Sequence, residues 1–275
     1  MEYRNVKGSR VPALGLGTWD LRGNEGERTV AAALDMGYRH VDTAQAYDNE
    51  EAVGAGIRTS GIDRDEVFLV TKIWPDGLGR EDAPKRCEES LRRLGTDYVD
   101  LLLVHWPNEA IPLGETLDAF AALEAAGKTR HIGVSNFTTR LLREAVEGHG
   151  ADLLCNQVEY HPYLSQEKVL EAVRRYGMML TAYSPIARGK VLDEPAIRDI
   201  AERHGKSPAQ IALRWLLDQE AVAAIPRTAN EKHLRANFEI FDFSLKPEDR
   251  AAIDGLRGDG RMIEVEGYAP DWDPA

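Results

Sequence analysis

The chain has 275 residues, 43% of them hydrophobic and 29% charged, and a formal net charge of −12. That is ample apolar material for a large core, and the acidic balance makes nucleic acid and anionic membrane poor partners. No apolar run approaches the roughly 20 residues that span a bilayer. Met1–Asn5 lacks a charged-then-apolar leader pattern. Two cysteines, Cys87 and Cys155, make no disulfide framework and fit a reducing cytoplasm.

Tyr3 to Pro12, broken at Lys7-Gly8-Ser9, reads as a two-stranded hairpin. Strands are then expected at 13–18, 40–43, 67–73, 99–106, 131–135, 153–159, 179–184 and 221–226. Helices are expected between them, at 25–36, 50–59, 81–94, 114–126, 139–147, 166–176, 195–204 with 208–218, and 231–238. Pro247–Leu256 reads as an extra helix and 257–275 as a Gly/Pro/acidic tail. Eight strands alternating with helices, with no linker, predict one parallel α/β domain over residues 1–275. Periodicity leaves open whether the sheet is closed. The count of eight favours a (β/α)8 TIM barrel, as does the placement of polar residues at the carboxyl ends of many strands. An open dinucleotide-binding sheet would carry a glycine-rich loop after its first strand. Here that place holds Trp19-Asp20-Leu21-Arg22-Gly23, and Gly54-Ala55-Gly56 falls inside a helix without the third glycine.

Three strand ends carry the chemistry. Counting by twos, Asp42 shares a face with His40, Lys72 with Phe68 and Val70, and His105 with Leu101 and Leu103. Tyr47 follows Asp42 at a helix entrance, where Asp48 is expected to cap the helix with Glu51 completing a capping box. Alone, Asp42 and Lys72 make a structural ion pair and His105 an ordinary core histidine. Together they form a site, because buried charges at strand ends must pair. An ammonium beside Tyr47 stabilises the phenolate and lowers its pKa, which makes the phenol a proton donor to a carbonyl oxygen. Metal catalysis fits badly, since the seven histidines lack close ligand spacing. Gly133-Val134-Ser135-Asn136-Phe137 is not a serine nucleophile elbow. Lys72 as the Schiff-base residue of a lyase stays open.

The second half offers polar groups suited to a cofactor. Ser135 and Asn136 end the fifth barrel strand, Gln157 the sixth, and Tyr183-Ser184-Pro185 the seventh. Such groups can hydrogen-bond a carboxamide and stack on a flat heterocycle. The eighth strand runs through Ile225-Pro226 to Arg227 and a helix start, where barrels commonly bind phosphate.

These residues carry a resemblance. Gly15-Leu16-Gly17-Thr18, Gly37-Tyr38-Arg39-His40-Val41-Asp42-Thr43-Ala44, Leu91–Leu101, Ile132–Phe137, Asn156–Pro162, Ala182–Pro185 and the segment from Ile225 are similar to the aldo-keto reductases. Within them the chain resembles the bacterial branch with the 2,5-diketo-D-gluconate and methylglyoxal reductases, over nearly its whole length. The resemblance implies a tetrad of Asp42, Tyr47, Lys72 and His105, with Tyr47 as general acid. It implies nicotinamide contacts at Ser135, Asn136 and Gln157, stacking by Tyr183 beside Ser184, and pocket walls at Trp19, Trp74 and Trp106. It places the 2′-phosphate site on Arg227, Thr228, His233, Ala236 and Asn237. The second arginine of the family pattern is His233 here, so NADPH is expected, with NADH tolerance. The short loop 107–114 implies an open pocket. The expected protein is a monomeric NADPH-dependent reductase of aldehydes, α-dicarbonyls or keto-sugar acids. A cofactor-sensing binding protein on the same fold is the alternative from another class.

Overall fold

Short runs of valine, isoleucine and leucine bounded by turn residues give buried parallel strands, and helices between them cover the outer face. The computed structural model describes residues 1–274. An antiparallel hairpin, β1 (Tyr3–Val6) and β2 (Ser9–Pro12), precedes eight parallel strands. These are β3 (Leu16–Gly17), β4 (His40–Asp42), β5 (Phe68–Ile73), β6 (Val99–Val104), β7 (Thr129–Ser135), β8 (Leu153–Glu159), β9 (Met179–Tyr183) and β10 (Val222–Ala224), each beside its neighbour in sequence. The ends meet: Leu14 bridges Ala224, the Gly15 N–H donates to the Ala224 carbonyl (2.9 Å), and the Gly17 N–H donates to that of Pro226 (3.0 Å). A Cβ at residue 17 would stand 2.7 Å from the Ile225 oxygen, so glycine is what lets this seam close. The sheet is a closed (β/α)8 barrel.

The helices are α1 (Gly23–Asp35), α2 (Glu50–Ser60), α3 (Asp82–Leu94), α4 (Leu113–Ala125), α5 (Thr139–Arg143), α6 (Glu167–Arg175), α7 (Pro195–His204), α8 (Pro208–Leu217), α9 (Glu231–Phe238) and α10 (Pro247–Asp254). α3 shows why: Ala83, Cys87, Ser90, Leu91 and Leu94 recur at helical spacing and are its buried face, and Gly95 ends it in the left-handed conformation. The expected helix 139–147 is an α-helix only to Arg143 and continues as a π-helical turn, Glu144–Gly148. The expected strand 13–18 keeps ladder pairing only at Leu16 and Gly17, because one side of it is the seam.

Inward-facing residues sort by height. Low in the barrel, Phe68, Val70, Leu101, Leu103, Cys155, Met179 and Ala223 fill the lumen, and Val6 and Val11 of the hairpin pack against them. Ser9 Oγ lies 2.5 Å from His131 Nε2, and His40 Nδ1 lies 3.1 Å from the Pro12 carbonyl, tying the hairpin across the amino ends of the strands. The next inward residues up β5, β6, β8 and β9, namely Lys72, His105, Gln157 and Thr181, are polar and buried. No helix among the described residues is long and apolar enough to cross a membrane.

Candidate active site

Two steps above this plug, β4 and β5 place Asp42 and Lys72 side by side. Both are buried, and Lys72 is fully so. The Lys72 ammonium donates to Asp42 Oδ1 (2.5 Å), the Thr43 carbonyl (2.8 Å) and Tyr47 Oη (3.4 Å). Burial pulls its pKa down, yet Asp42 and Tyr47 outweigh that, so Lys72 stays charged, above its usual range. All three of its N–H bonds are engaged.

Tyr47 ends a 3-10 turn, Gln45–Tyr47, and is half-buried. Asp48 is not the cap of α2. It takes a left-handed φ of 53°, closing the turn, and Asn49 holds the cap position. The Asn49 side chain is committed elsewhere: its Oδ1 accepts from Thr43 Oγ1 (2.7 Å), and its Nδ2 donates to the Thr18 (2.7 Å) and Leu21 (3.0 Å) carbonyls. That buried amide fixes the loop on which Tyr47 sits.

The phenol departs from the sequence expectation in its acidity. Burial pushes the Tyr47 pKa up, and the Lys72 ammonium pulls it back without winning. Tyr47 therefore remains protonated across the neutral range, the state a proton donor needs. The His105 ring meets Tyr47 edge-on with centroids 5.6 Å apart, and Trp74 edge-on at 5.2 Å. Burial and then the Lys72 charge hold the imidazole well below its usual pKa, so it is neutral, and its Nδ1 is buried without a partner. A protonated phenol and a neutral imidazole facing each other can both hydrogen-bond one carbonyl oxygen.

Residues 13–257 match the Aldo/keto reductase family. The chain belongs to that family. The reductase is 41% identical to methylglyoxal reductase DkgB of Salmonella typhi over 266 residues, 96% of this chain and 99% of that one. It is 42% identical to glyoxal reductase of Bacillus subtilis (strain 168) over 256 residues, covering 93% and 92%. A solved structure described as a candidate 2,5-diketo-D-gluconic acid reductase B superposes with a TM-score of 0.97 at 48% identity, covering 99% of this chain and 98% of that one.

The reductase holds its expected cofactor groups in an interlocked net rather than as an open trio. Ser135 Oγ donates to the Gln157 carbonyl (2.8 Å), and Asn136 Nδ2 donates to Ser135 Oγ and to the His105 carbonyl (both 3.0 Å). Tyr183 Oη donates to Asn136 Oδ1 (2.8 Å). Gln157 Nε2 donates to Asp42 Oδ2 (2.7 Å), which leaves Oε1 as its acceptor for a carboxamide N–H. Beyond Tyr183 the loop has positive φ at Ser184, Ala187, Arg188 and Gly189. Within it the Ala187 N–H closes a turn onto the Ser184 carbonyl (2.8 Å) and the Gly189 N–H one onto that of Ile186 (2.9 Å). These features fit a dinucleotide.

Arg227 is tethered: Nε donates to the Trp19 carbonyl (3.1 Å) and Nη2 to that of Asp20 (3.3 Å). Thr228 Oγ1 accepts from the Asn230 N–H (3.1 Å), Asn230 caps α9, and Asn237 is buried on that helix while His233 is exposed. The three expected pocket tryptophans differ. Trp19 is 59% exposed, Trp74 is half-buried, and Trp106 is only 3% exposed. Trp106 is covered by Trp272 of the tail, edge-on at 6.1 Å, and Tyr268 meets Trp74 at 5.8 Å. The tail thus packs onto two of the three tryptophans expected to wall the pocket. Composition marks the tail as irregular, and only its aromatic residues hinted at this part. Glu159 was also missed, although it stands two residues beyond Gln157 and so on the same inward face.

Proposed function

We propose that this chain catalyses the NADPH-dependent reduction of aldehydes, α-dicarbonyls or keto-sugar acids to alcohols, with Tyr47 as general acid. The observation that carries this reading is the buried relay from Asp42 through Lys72 to the Tyr47 hydroxyl. When bound, a reduced nicotinamide supplies hydride to the carbonyl carbon. Tyr47 and His105 hold the carbonyl oxygen, and Tyr47 gives it a proton as negative charge develops there. Lys72 stabilises the phenolate left behind, and Asp42 and Gln157 keep the ammonium and the carboxamide site in register. Ser135, Asn136, Gln157 and Tyr183 form the nicotinamide wall, Ser184 follows Tyr183 on the cofactor side, and Arg227, Thr228 and Asn237 take the adenosine phosphate end. The names of the relatives, methylglyoxal and glyoxal reductase, support the substrate class.

The engaged ammonium of Lys72 disfavours a Schiff-base lyase, which needs a neutral amine with a free lone pair. Mixing the protein with NADPH and methylglyoxal and following absorbance of the reduced cofactor tests the proposal. Tyr47→Phe should abolish turnover and leave cofactor affinity near wild type. Turnover within about tenfold of wild type would remove Tyr47 as the acid. Binding without consumption across an aldehyde panel would favour a cofactor sensor instead.

A further inference from the structure

Glu159 closes β8 with a carboxylate that is fully buried at the barrel mouth, in register with Tyr183 of β9. Its partners come from the other end of the chain. The Met262 N–H donates to Oε1 (3.0 Å) and Oε2 (3.1 Å), and the Ile263 N–H donates to Oε2 (3.0 Å). His161 Nε2 lies 3.0 Å from Oε1. A charge in such a place must be compensated, and here backbone amides of the tail do much of it. Next to the clamp, the Arg261 guanidinium stacks on Trp272 with 3.5 Å from Cζ to the ring centroid. Farther on, Asp273 accepts from the Thr139 N–H (2.8 Å) and hydroxyl (2.6 Å). The segment between these two anchors carries Tyr268 onto Trp74 and Trp272 onto Trp106. Trp74 in turn meets His105.

We infer that Glu159 is a positioning residue for substrate selectivity: its carboxylate latches the tail at Met262 and Ile263 so that Tyr268 and Trp272 stand as pocket walls. This rests on the reductase reading for the substrate, but not for the latch itself. Replacing the carboxylate by a carboxamide keeps the side chain's shape, removes the charge and turns one acceptor oxygen into an N–H donor, which weakens the hold on the Met262 and Ile263 amides. An aryl aldehyde reaches these walls, whereas a three-carbon dicarbonyl needs them less. A wall that contributes equally in ground and transition states moves KM and spares kcat.

The test compares wild type with Glu159→Gln and Glu159→Asp. In Glu159→Gln the Met262 and Ile263 amides should exchange with deuterium about tenfold faster or more. The KM for 4-nitrobenzaldehyde should rise about tenfold, the KM for methylglyoxal less than about threefold, and kcat should change less than about twofold. Glu159→Asp should recover part of both effects, and NADPH affinity measured by titration should hold. Unchanged exchange, or faster exchange with an unchanged KM for the aryl aldehyde, overturns the inference. Where Glu159→Gln does not fold, the wild type decides: Met262 and Ile263 amides that exchange without protection refute the latch. A wild type that reduces neither aldehyde removes the proposed reaction, and the exchange data still judge the latch.

Discussion

Replacing Lys72 by methionine separates electrostatics from shape at the proposed relay. The ammonium lies 3.4 Å from the Tyr47 oxygen. At an effective dielectric of about 20, its attraction for a full phenolate is about 5 kcal/mol. With roughly half the proton transferred at the transition state, about 2.5 kcal/mol of that is lost, or close to a 10²-fold fall in kcat. The same change leaves Asp42 buried without its cation, with only Gln157 still donating to it. That costs about 3–5 kcal/mol of stability, and adding Asp42→Asn should recover much of it. The assay is kcat for methylglyoxal at saturating NADPH across pH 6–9, beside urea unfolding of the single and double variants. The reasoning fails if Lys72→Met keeps kcat within about threefold of wild type, or if Asp42→Asn recovers catalysis along with stability.

Arg227→Ala should raise the Kd for NADPH by about 10–100-fold, the usual cost of a charged hydrogen-bonded contact, and that for NADH by little. Equal losses in a fluorescence titration would remove the phosphate assignment. Burial holds the pKa of His40 and of His105 below the ordinary 6.5. Below that pH the unfolded chain binds protons that the folded chain refuses, so stability falls as pH drops, by up to about 1.4 kcal/mol per pH unit for each imidazole. Urea unfolding at pH 7 and 5 checks this, and His105→Gln should reduce the slope by one imidazole's share. An unchanged slope refutes it.

Much of the fold is legible in the sequence because a barrel repeats one local unit. The step of two along a strand is enough to align Asp42, Lys72 and His105 with the lumen. What escapes such counting depends on contacts between distant segments. Asp48 looks like a cap because its spacing to Glu51 is right, but the Asn49 side chain beside it is committed to Thr18 and Leu21, and nothing local records that. The acidity of Tyr47 turns on how much burial opposes one nearby cation, a balance that spacing does not contain. The interlock of Tyr183 with Asn136 spans 47 residues and the clamp of Glu159 on Met262 spans 103. Only the folded barrel brings those groups together.

The hairpin sealed across the amino ends of the strands makes the lumen a cul-de-sac. Val6 and Val11 pack under the lumen, and Ser9 and Pro12 hold that floor through His131 and His40. Anything that reaches Lys72 must come and go by a single doorway. Two reactants sharing it have to queue, and the one seated deeper is the first in and the last out.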